Sequence, residues 1–538
     1  MRATVWSLLL SKAATLEEGS RLLDEAVPPC DDEAELPMPP TDDEKELYLE
    51  SGRAIVVGAG LAAAATLVVG IWLFVCSTPI FYWYSLPALM ITLYMSSSYC
   101  GVAILGQDFD LNEHMSIVEH ISDTQEIWPT VDVFLPSCGE PLSVIINTFK
   151  YVAQLQYPAD RLNVYALDDA GLGTVKAAAE HFGFTYICRT DRPNMKKAGN
   201  MKNCFTQSTG KFIAVFDADF CPRSDFLFLT LPRMIADSTV GIVQTPQFFR
   251  IHQDQNWLQR AAAATQELFY RVVQTNRCSV AGAAICVGSN AVYRRATFAS
   301  HGSFAMKEAS EDAFTGLQAM CAGFKVMYVP LVLCAGLCPS VPQQFFSQQQ
   351  RWARGSLDLC TSKELWHSDL TWHQTLCFLS GGMYYFSTGI GLFFNSLPGI
   401  LMIYQRPQLV HYYNTIFAVP CLIFPFIAMR HWSKSHYGMA CVRIRILQYC
   451  AHLYSVVDML SCKRAQWVAT GVKPINTGKA KHRYHNATAW LVNWTVLQLI
   501  VTYVGVSWRM QQYGLVNFLP TLALETLNAY IALSVLYK

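Results

Sequence analysis

The sequence predicts an α/β membrane protein in which one Rossmann-like polar domain is inserted between two groups of transmembrane helices, two before it and four after. Three observations carry this. Hydrophobic residues make up 52% of the 538-residue chain against 15% charged, and they are gathered in blocks too long for soluble core helices. Six of these blocks have the roughly 20 apolar residues needed to cross the hydrocarbon core, at 54–76, 79–105, 375–404, 408–429, 487–507 and 514–537. Between the second and third lies a long polar stretch, 106–372, in which apolar β-type runs alternate with helical patterns.

Within that stretch, 131–135, 163–167, 185–188 and 212–216 read as strands, and 142–155, 174–182 and 197–207 read as helices. Such alternation implies a largely parallel sheet with ligands beyond the carboxyl ends of its strands. The acids of interest stand at those ends.

Residues 17–50 hold thirteen Asp and Glu against Arg21 and Lys45, with five interspersed prolines, a composition that cannot bury enough apolar area to fold. Residues 1–53 are therefore expected to form a disordered acidic tail. The first ten residues lack a basic region and do not read as a cleaved signal peptide. The remaining divisions are two spans in 54–105, the polar domain with interfacial helices in 106–372, two spans in 373–430, an interfacial segment in 431–486 and two spans in 487–538. Net charge is zero, so no global field marks a nucleic-acid binder. Eighteen cysteines without paired spacing read as reduced thiols. Segment 430–486 carries ten Lys and Arg, whereas the loops at Arg406 and Arg509 hold one each. Short basic loops stay in the cytosol, which puts this segment, the polar domain and both termini there.

Strand 163–167 runs into Asp168 and Asp169, and strand 212–216 into Asp217, Ala218 and Asp219. Extended residues two apart point the same way, so Asp217 and Asp219 can converge on one cation. Mg²⁺ commonly takes one or two carboxylates and completes its shell with phosphates. Alone, such acids are also what turns after strands carry. Ser310, Glu311, Asp312 and Ala313 open a helical pattern, where acids favour the helix dipole in any case. Gln348, Arg351 and Trp352 share one helix face. Arg can grip a diphosphate bidentately, and Trp offers a flat surface to a sugar ring.

The ordered set Leu167-Asp168-Asp169, Asp217-Ala218-Asp219, Ser310-Glu311-Asp312-Ala313 and Gln348-x-x-Arg351-Trp352 resembles the processive members of glycosyltransferase family 2, especially cellulose synthases and cellulose synthase-like proteins. Lys197-Ala198-Gly199-Asn200, Gln244-Thr245-Pro246-Gln247-Phe248-Phe249 and Val287-Gly288-Ser289-Asn290 extend the likeness over about residues 50–510. The resemblance implies a GT-A fold for the cytosolic domain and an inverting β-glycosyltransferase that polymerises glucose from UDP-glucose and moves the β-glucan across a plasma or Golgi membrane. It implies that Asp168 or Asp169 contacts uridine, with Lys197 nearby, and that Asp217 and Asp219 hold Mg²⁺ or Mn²⁺ on the diphosphate. Asp312 would be the general base. Gln348 and Arg351 would bind the diphosphate, and Trp352, Gln244, Thr245 and Glu311 the acceptor. Trp467 to Gly471 is similar to the family's gating loop, with Trp467 and Thr470 over the donor; bacterial cellulose synthases have Phe at the first of these positions. Chitin, hyaluronan or mannan synthesis would use the same parts, and a homo-oligomer is compatible with them. The end at Lys538 leaves no room for the cyclic-dinucleotide domain of bacterial cellulose synthases, and large plant-type insertions are missing, so neither that control nor rosette assembly is expected.

A hydroxyl-rich polymer needs a lined path through lipid. Trp372, Tyr384, Tyr385, Phe393 and Phe394 in or beside the third span are candidates. Glu525, an acid deep in the last span, either lines that path or bonds a neighbouring helix. A transporter with a cytosolic nucleotide-binding domain is the competing class. Its weakness is that only His411 and Glu525 stand in the spans to couple ions. The orientation has a direct check: Asn486-Ala487-Thr488 matches a glycosylation acceptor but faces the cytosol here, so mass spectrometry should find Asn486 bare in a glycosylating host, and a glycan there would reverse the topology.

Overall fold

A computed structural model describes residues 36–100, 106–252, 254–435, 437–463 and 478–536. The domain is built on nine strands: β1 Val131–Ser137, β2 Leu162–Asp168, β3 Thr185–Ile187, β4 Phe212–Val215, β5 Phe220–Pro222, β6 Val240–Gln244, β7 Ala291–Arg294, β8 Lys325–Tyr328 and β9 Cys334–Gly336. Seven form one sheet in the order β3-β2-β1-β4-β7-β6-β8. β1, β4 and β6 are buried along their whole length, which is why they read as apolar runs rather than alternating ones. The expected parallel pairing holds for β3-β2-β1-β4 and for β6-β8, while β7 runs antiparallel between β4 and β6. The result is a mixed sheet with one antiparallel strand, as against the largely parallel one expected. The expected helices appear as Leu142–Val152, Gly173–His181 and Lys196–Phe205.

Five helices among the described residues are long and apolar enough to cross a membrane: Arg53–Cys76, Trp372–Gln405, Asn414–Trp432, Lys481–Tyr513 and Leu519–Leu536. The chain is an integral membrane protein. The segment expected to span at 79–105 is not one continuous α-helix. A 3₁₀ turn, Pro79–Tyr84, opens it, Ser85–Met95 is α-helical and Ser96–Cys100 widens into a π-helix. Pro79 cannot continue a helix from behind it, and Ser97 donates its hydroxyl to the Tyr94 carbonyl, 3.0 Å away, in competition with the backbone ladder. Glu525 is 6% exposed and hydrogen-bonded to Ser396 on the Trp372–Gln405 helix, so it joins two helices. Every cysteine whose side chain is described is free.

The acidic tail was expected to lack structure through residue 53, but residues 36–52 are laid along the polar domain. Arg250 reaches both carboxylate oxygens of Glu44 and the carbonyls of Met38 and Pro39, and Arg223 pairs with Asp42 at 2.7 Å. Tyr48, 4% exposed, meets Phe248 edge to face at 5.8 Å. Composition predicts disorder only for a segment with nothing to dock on; these arginines and Phe248 are what 36–52 docks on.

One buried charge group fastens the domain to the membrane helices. Glu267 at the end of helix Trp257–Leu268 is fully buried, pairs with Arg271 and accepts from Ser433 Oγ at 2.6 Å and Lys434 N at 2.9 Å. Arg271 also donates to the Glu50 carbonyl and lies over the Trp432 ring, 4.2 Å from its centroid. Removing one partner leaves the other charge buried without compensation. Glu267→Ala should therefore destabilise the protein by about 3–5 kcal/mol, read as a lower melting temperature in detergent, with Arg271→Ala comparably harmful.

Candidate functional site

The register of the sheet brings the site's acids together. Ser137 at the end of β1 lies beside Asp168 at the end of β2, and β4 on the other flank leads directly into Asp217 and Asp219. Asp168 is fully buried, and its carboxylate accepts from Ala170 N at 2.8 Å, Leu172 N at 2.7 Å and Tyr186 OH at 3.0 Å. Its oxygens are committed to its own turn. Asp169 borders the cavity and is held from behind by Arg189, with two bonds of 2.7 Å between side chains that are each 2% exposed. Of the two, Asp169 is the one with access to a ligand.

Lys197, in the first turn of helix Lys196–Phe205, ties three segments together. Its Nζ donates to Asp217 Oδ1 at 2.5 Å and to the Gly288 carbonyl at 2.8 Å, and stands 3.9 Å from Glu311. Burial alone would pull the ammonium down, but Asp217 and Glu311 outweigh it and hold Lys197 above its ordinary value. Asp312 is pushed up to about 7, first by burial and then by Glu311, with Lys197 opposing. Asp219 is likewise pushed up to about 7, by burial and then by Asp217 and Glu140. Arg351 is pulled down by burial while the surrounding Glu311, Asp217 and Asp312 act to keep it charged.

Two glycines allow the close approach this needs. Gly288 has φ +78°, and a Cβ there would come 2.9 Å from Asp312 Cβ. A Cβ on Gly355 would fall 1.6 Å from Ser310 Oγ, so the helix Pro342–Cys360, which carries Gln348, Arg351 and Trp352, can lie against the start of Glu311–Cys321 only because residue 355 has no side chain.

Gln244 and Thr245 do not face an acceptor, contrary to expectation. Both are fully buried. Gln244 accepts from Val287 N at 2.9 Å and donates to the carbonyls of Thr245 and Ser289, while Thr245 Oγ1 donates to the Asn290 carbonyl at 2.9 Å. The reason is topological: Gln244 closes β6 opposite Ala291 of β7, inside the sheet, so it can only clasp the loop that presents Gly288 to Lys197. Gln247 and Phe249 line the cavity instead, and Tyr270 OH donates to Gln247 at 3.0 Å. Glu140 is a further lining acid that the sequence reading missed; it follows β1, and the rule that sites gather at strand ends would have found it. Trp467 and Thr470 lie outside the described residues.

These groups open on one cavity of about 520 Å³. Asp217, Asp219, Glu311, Asp312, Gln348, Arg351 and Trp352 line it, together with Tyr384, Tyr385 and the exposed Trp372 of the Trp372–Gln405 helix. Phe393 and Phe394 are not part of it: Phe393 stacks on Trp494 at 4.5 Å, and Phe394 meets Tyr84 at 5.8 Å. Among the described residues no cluster of three or more His, Cys, Asp or Glu is arranged to enclose a metal ion.

The family described as "Glycosyl transferase family group 2" matches residues 212–462, the stretch holding Asp217, Asp219, Asp312 and the Gln348-to-Trp352 face. Cellulose synthase 2 of Novacetimonas hansenii is 35% identical over 266 residues, 48% of this chain and 16% of that one. The UDP-forming cellulose synthase catalytic subunit of Pseudomonas fluorescens is 32% identical over 266 residues, 48% of this chain and 36% of that one. The corresponding subunit of cellulose synthase 1 from Komagataeibacter xylinus is 30% identical over 315 residues, 57% of this chain and 40% of that one. The chain thus spans well under half the length of each of these relatives. Among solved structures, a mannosyltransferase from Pyrobaculum calidifontis in complex with GDP-Man and Mn²⁺ aligns over 70% of this chain and 100% of its own at 16% identity and a TM-score of 0.49. The matched stretch contains most of the acids, the arginine and the tryptophan that the fold gathers around the cavity, so in residues 212–462 the chain is similar to family 2 glycosyltransferases, cellulose synthases among them.

Proposed function

We propose that the protein is a processive, inverting β-glycosyltransferase that builds a β-glucan from UDP-glucose and passes it into its own membrane helices. The observation that carries this reading is the shared cavity: the acids, the Arg351–Trp352 face and tyrosines of a membrane-spanning helix line the same space. A donor site that continues into the membrane suits a product that leaves through it. The basic segment 430–486 supports a cytosolic domain, in a plasma or Golgi membrane.

In one displacement, the acceptor hydroxyl gives its proton to the Asp312 carboxylate as its oxygen bonds to the glucose anomeric carbon. The bond from that carbon to the diphosphate breaks, and UDP departs with the electron pair. Attack from the opposite face turns an α-linked donor into a β-linked product. Lys197 and Arg351 offset the charge that grows on the diphosphate. Asp217 and Asp219 would hold a cation that commonly takes one or two carboxylates, and its charge would oppose the burial and the Asp217 repulsion that raise Asp219. That cation, Mg²⁺ or Mn²⁺, supplies Lewis-acid neutralisation of the leaving group. Trp352 holds the acceptor's terminal ring by stacking, while Asp169 and Glu140 border the donor end.

The base must be ionised. Its carboxyl is raised to about 7, so the reactive form fills as pH rises through that value. Synthesis by purified protein should fall about tenfold per unit below pH 7. Asp312→Asn should lower it about 10²- to 10⁴-fold while donor binding persists; near-normal turnover in that variant would remove Asp312 as the base. Trp352→Ala should leave calorimetric UDP affinity within about twofold yet shorten the polymer seen by gel or mass spectrometry, because stacking contributes only about 1 kcal/mol beyond burial but acts at every addition. Unchanged polymer length would exclude Trp352 from acceptor binding.

A further inference from the structure

Four arginines of the described chain are less than a tenth exposed: Arg189, Arg271, Arg277 and Arg294. Three have their guanidinium forks filled. Arg189 holds Asp169 and the carbonyls of Asn194 and Lys196. Arg271 holds Glu267 and the carbonyls of Glu50 and Trp432. Arg294 donates to the carbonyls of Val240, Met234 and Asp237. Arg277, 9% exposed, is different: its side-chain partner is one hydroxyl, Ser380 Oγ, at 2.7 Å. Among the described residues no carboxylate lies within ion-pair reach of it, and the groups that face it are Cys360, Cys377 and Tyr385.

A guanidinium carries five N–H donors, and burying it unpaired is unfavourable. Arg277 is on the cavity wall, together with Ser380 and Tyr385. Tyr385 interacts with both Arg277 and Asp312 and bonds Ser356. Arg277 thus shares a neighbour, Tyr385, with Asp312, and is bonded to the Trp372–Gln405 helix through Ser380.

Resting on the polymerase reading above, we infer that Arg277 is a binding residue for the growing glycan, its open donors hydrogen-bonding hydroxyl and ring oxygens of a sugar beyond the terminal one. The ligand is rich in acceptors and carries no charge of its own, which matches a guanidinium with donors to spare and, among the described residues, no carboxylate in ion-pair reach. Ser380 fixes one edge of the guanidinium and leaves the other to the sugar. Grip at this point keeps the chain engaged after UDP has left, when the donor end holds nothing.

The test uses the full chain in lipid nanodiscs with UDP-glucose and a β-linked gluco-oligosaccharide acceptor. Arg277→Met fills the same volume among Cys360, Cys377 and the helix walls without donors; Arg277→Lys keeps charge and one direction of donation. The expected result is an acceptor KM raised about tenfold or more in Arg277→Met with markedly shorter polymer, UDP affinity within about twofold of wild type, and Arg277→Lys in between. Wild-type length and KM in Arg277→Met would overturn the inference. So would loss of UDP affinity in step with polymer length, the mark of a structural tether between helices. Wild type that binds UDP yet forms no polymer would instead overturn the proposed function, and this inference with it.

Discussion

Keeping Asp217, Asp219, Glu311 and Asp312 together around one cavity is the constraint on which the rest of the structure depends. Two like charges 4 Å apart repel by roughly 4 kcal/mol at an effective dielectric of about 20. Left alone, these carboxylates would take up protons or move apart. Lys197 opposes both by bonding Asp217 and standing near Glu311, and Arg351 adds a second cation from another helix, although Asp219 and Asp312 still stay raised to about 7. The chain accepts strain to deliver that lysine: Met195 and Lys196 both adopt left-handed backbone, with φ of 51° and 46°, just ahead of it. Such residues persist only where their surroundings over-determine them, commonly at functional sites.

The neighbouring structure serves the same end. Gln244 and Thr245 spend their polar atoms on the loop that offers the Gly288 carbonyl to Lys197. Gly288 and Gly355 omit the side chains that would push Asp312 and the Arg351 helix away. The buried Glu267–Arg271 group then locks this domain to Trp432 and Ser433 at the end of a membrane-spanning helix, so that the tyrosines of the Trp372–Gln405 helix close the same cavity. The acids and the aromatic side chains of a membrane-spanning helix thus border one compartment.

Much of this was legible in the sequence because the signals are local. The apolar runs of β1 and β4, the acids at their ends, and the three-and-four spacing of Gln348, Arg351 and Trp352 each depend on a few adjacent residues. What was not legible depends on partners far along the chain. Asp168 and Asp169 look alike in sequence, and only Tyr186 and Arg189 decide which is turned inward. Gln244 lies in a motif that resembles a binding segment, yet its pairing with β7 buries it. The docking of 36–52 needs Arg223 and Arg250, about 200 positions away, and the broken helix at 79–100 reflects prolines and serines that hydropathy averages over. Arg277 gave no local signal at all; what sets it apart is that no carboxylate among the described residues pairs with it, which no linear reading can detect.

The central claim is that one cavity both makes the glycan and leads it into the membrane. Electron cryo-microscopy of the full chain in nanodiscs, after turnover with UDP-glucose and a divalent cation, tests it most directly. The account predicts a continuous glycan starting on Trp352 beside Asp312 and running past Arg277 to Tyr384 and Tyr385. A cavity without glycan, together with a free short saccharide in solution, would contradict it.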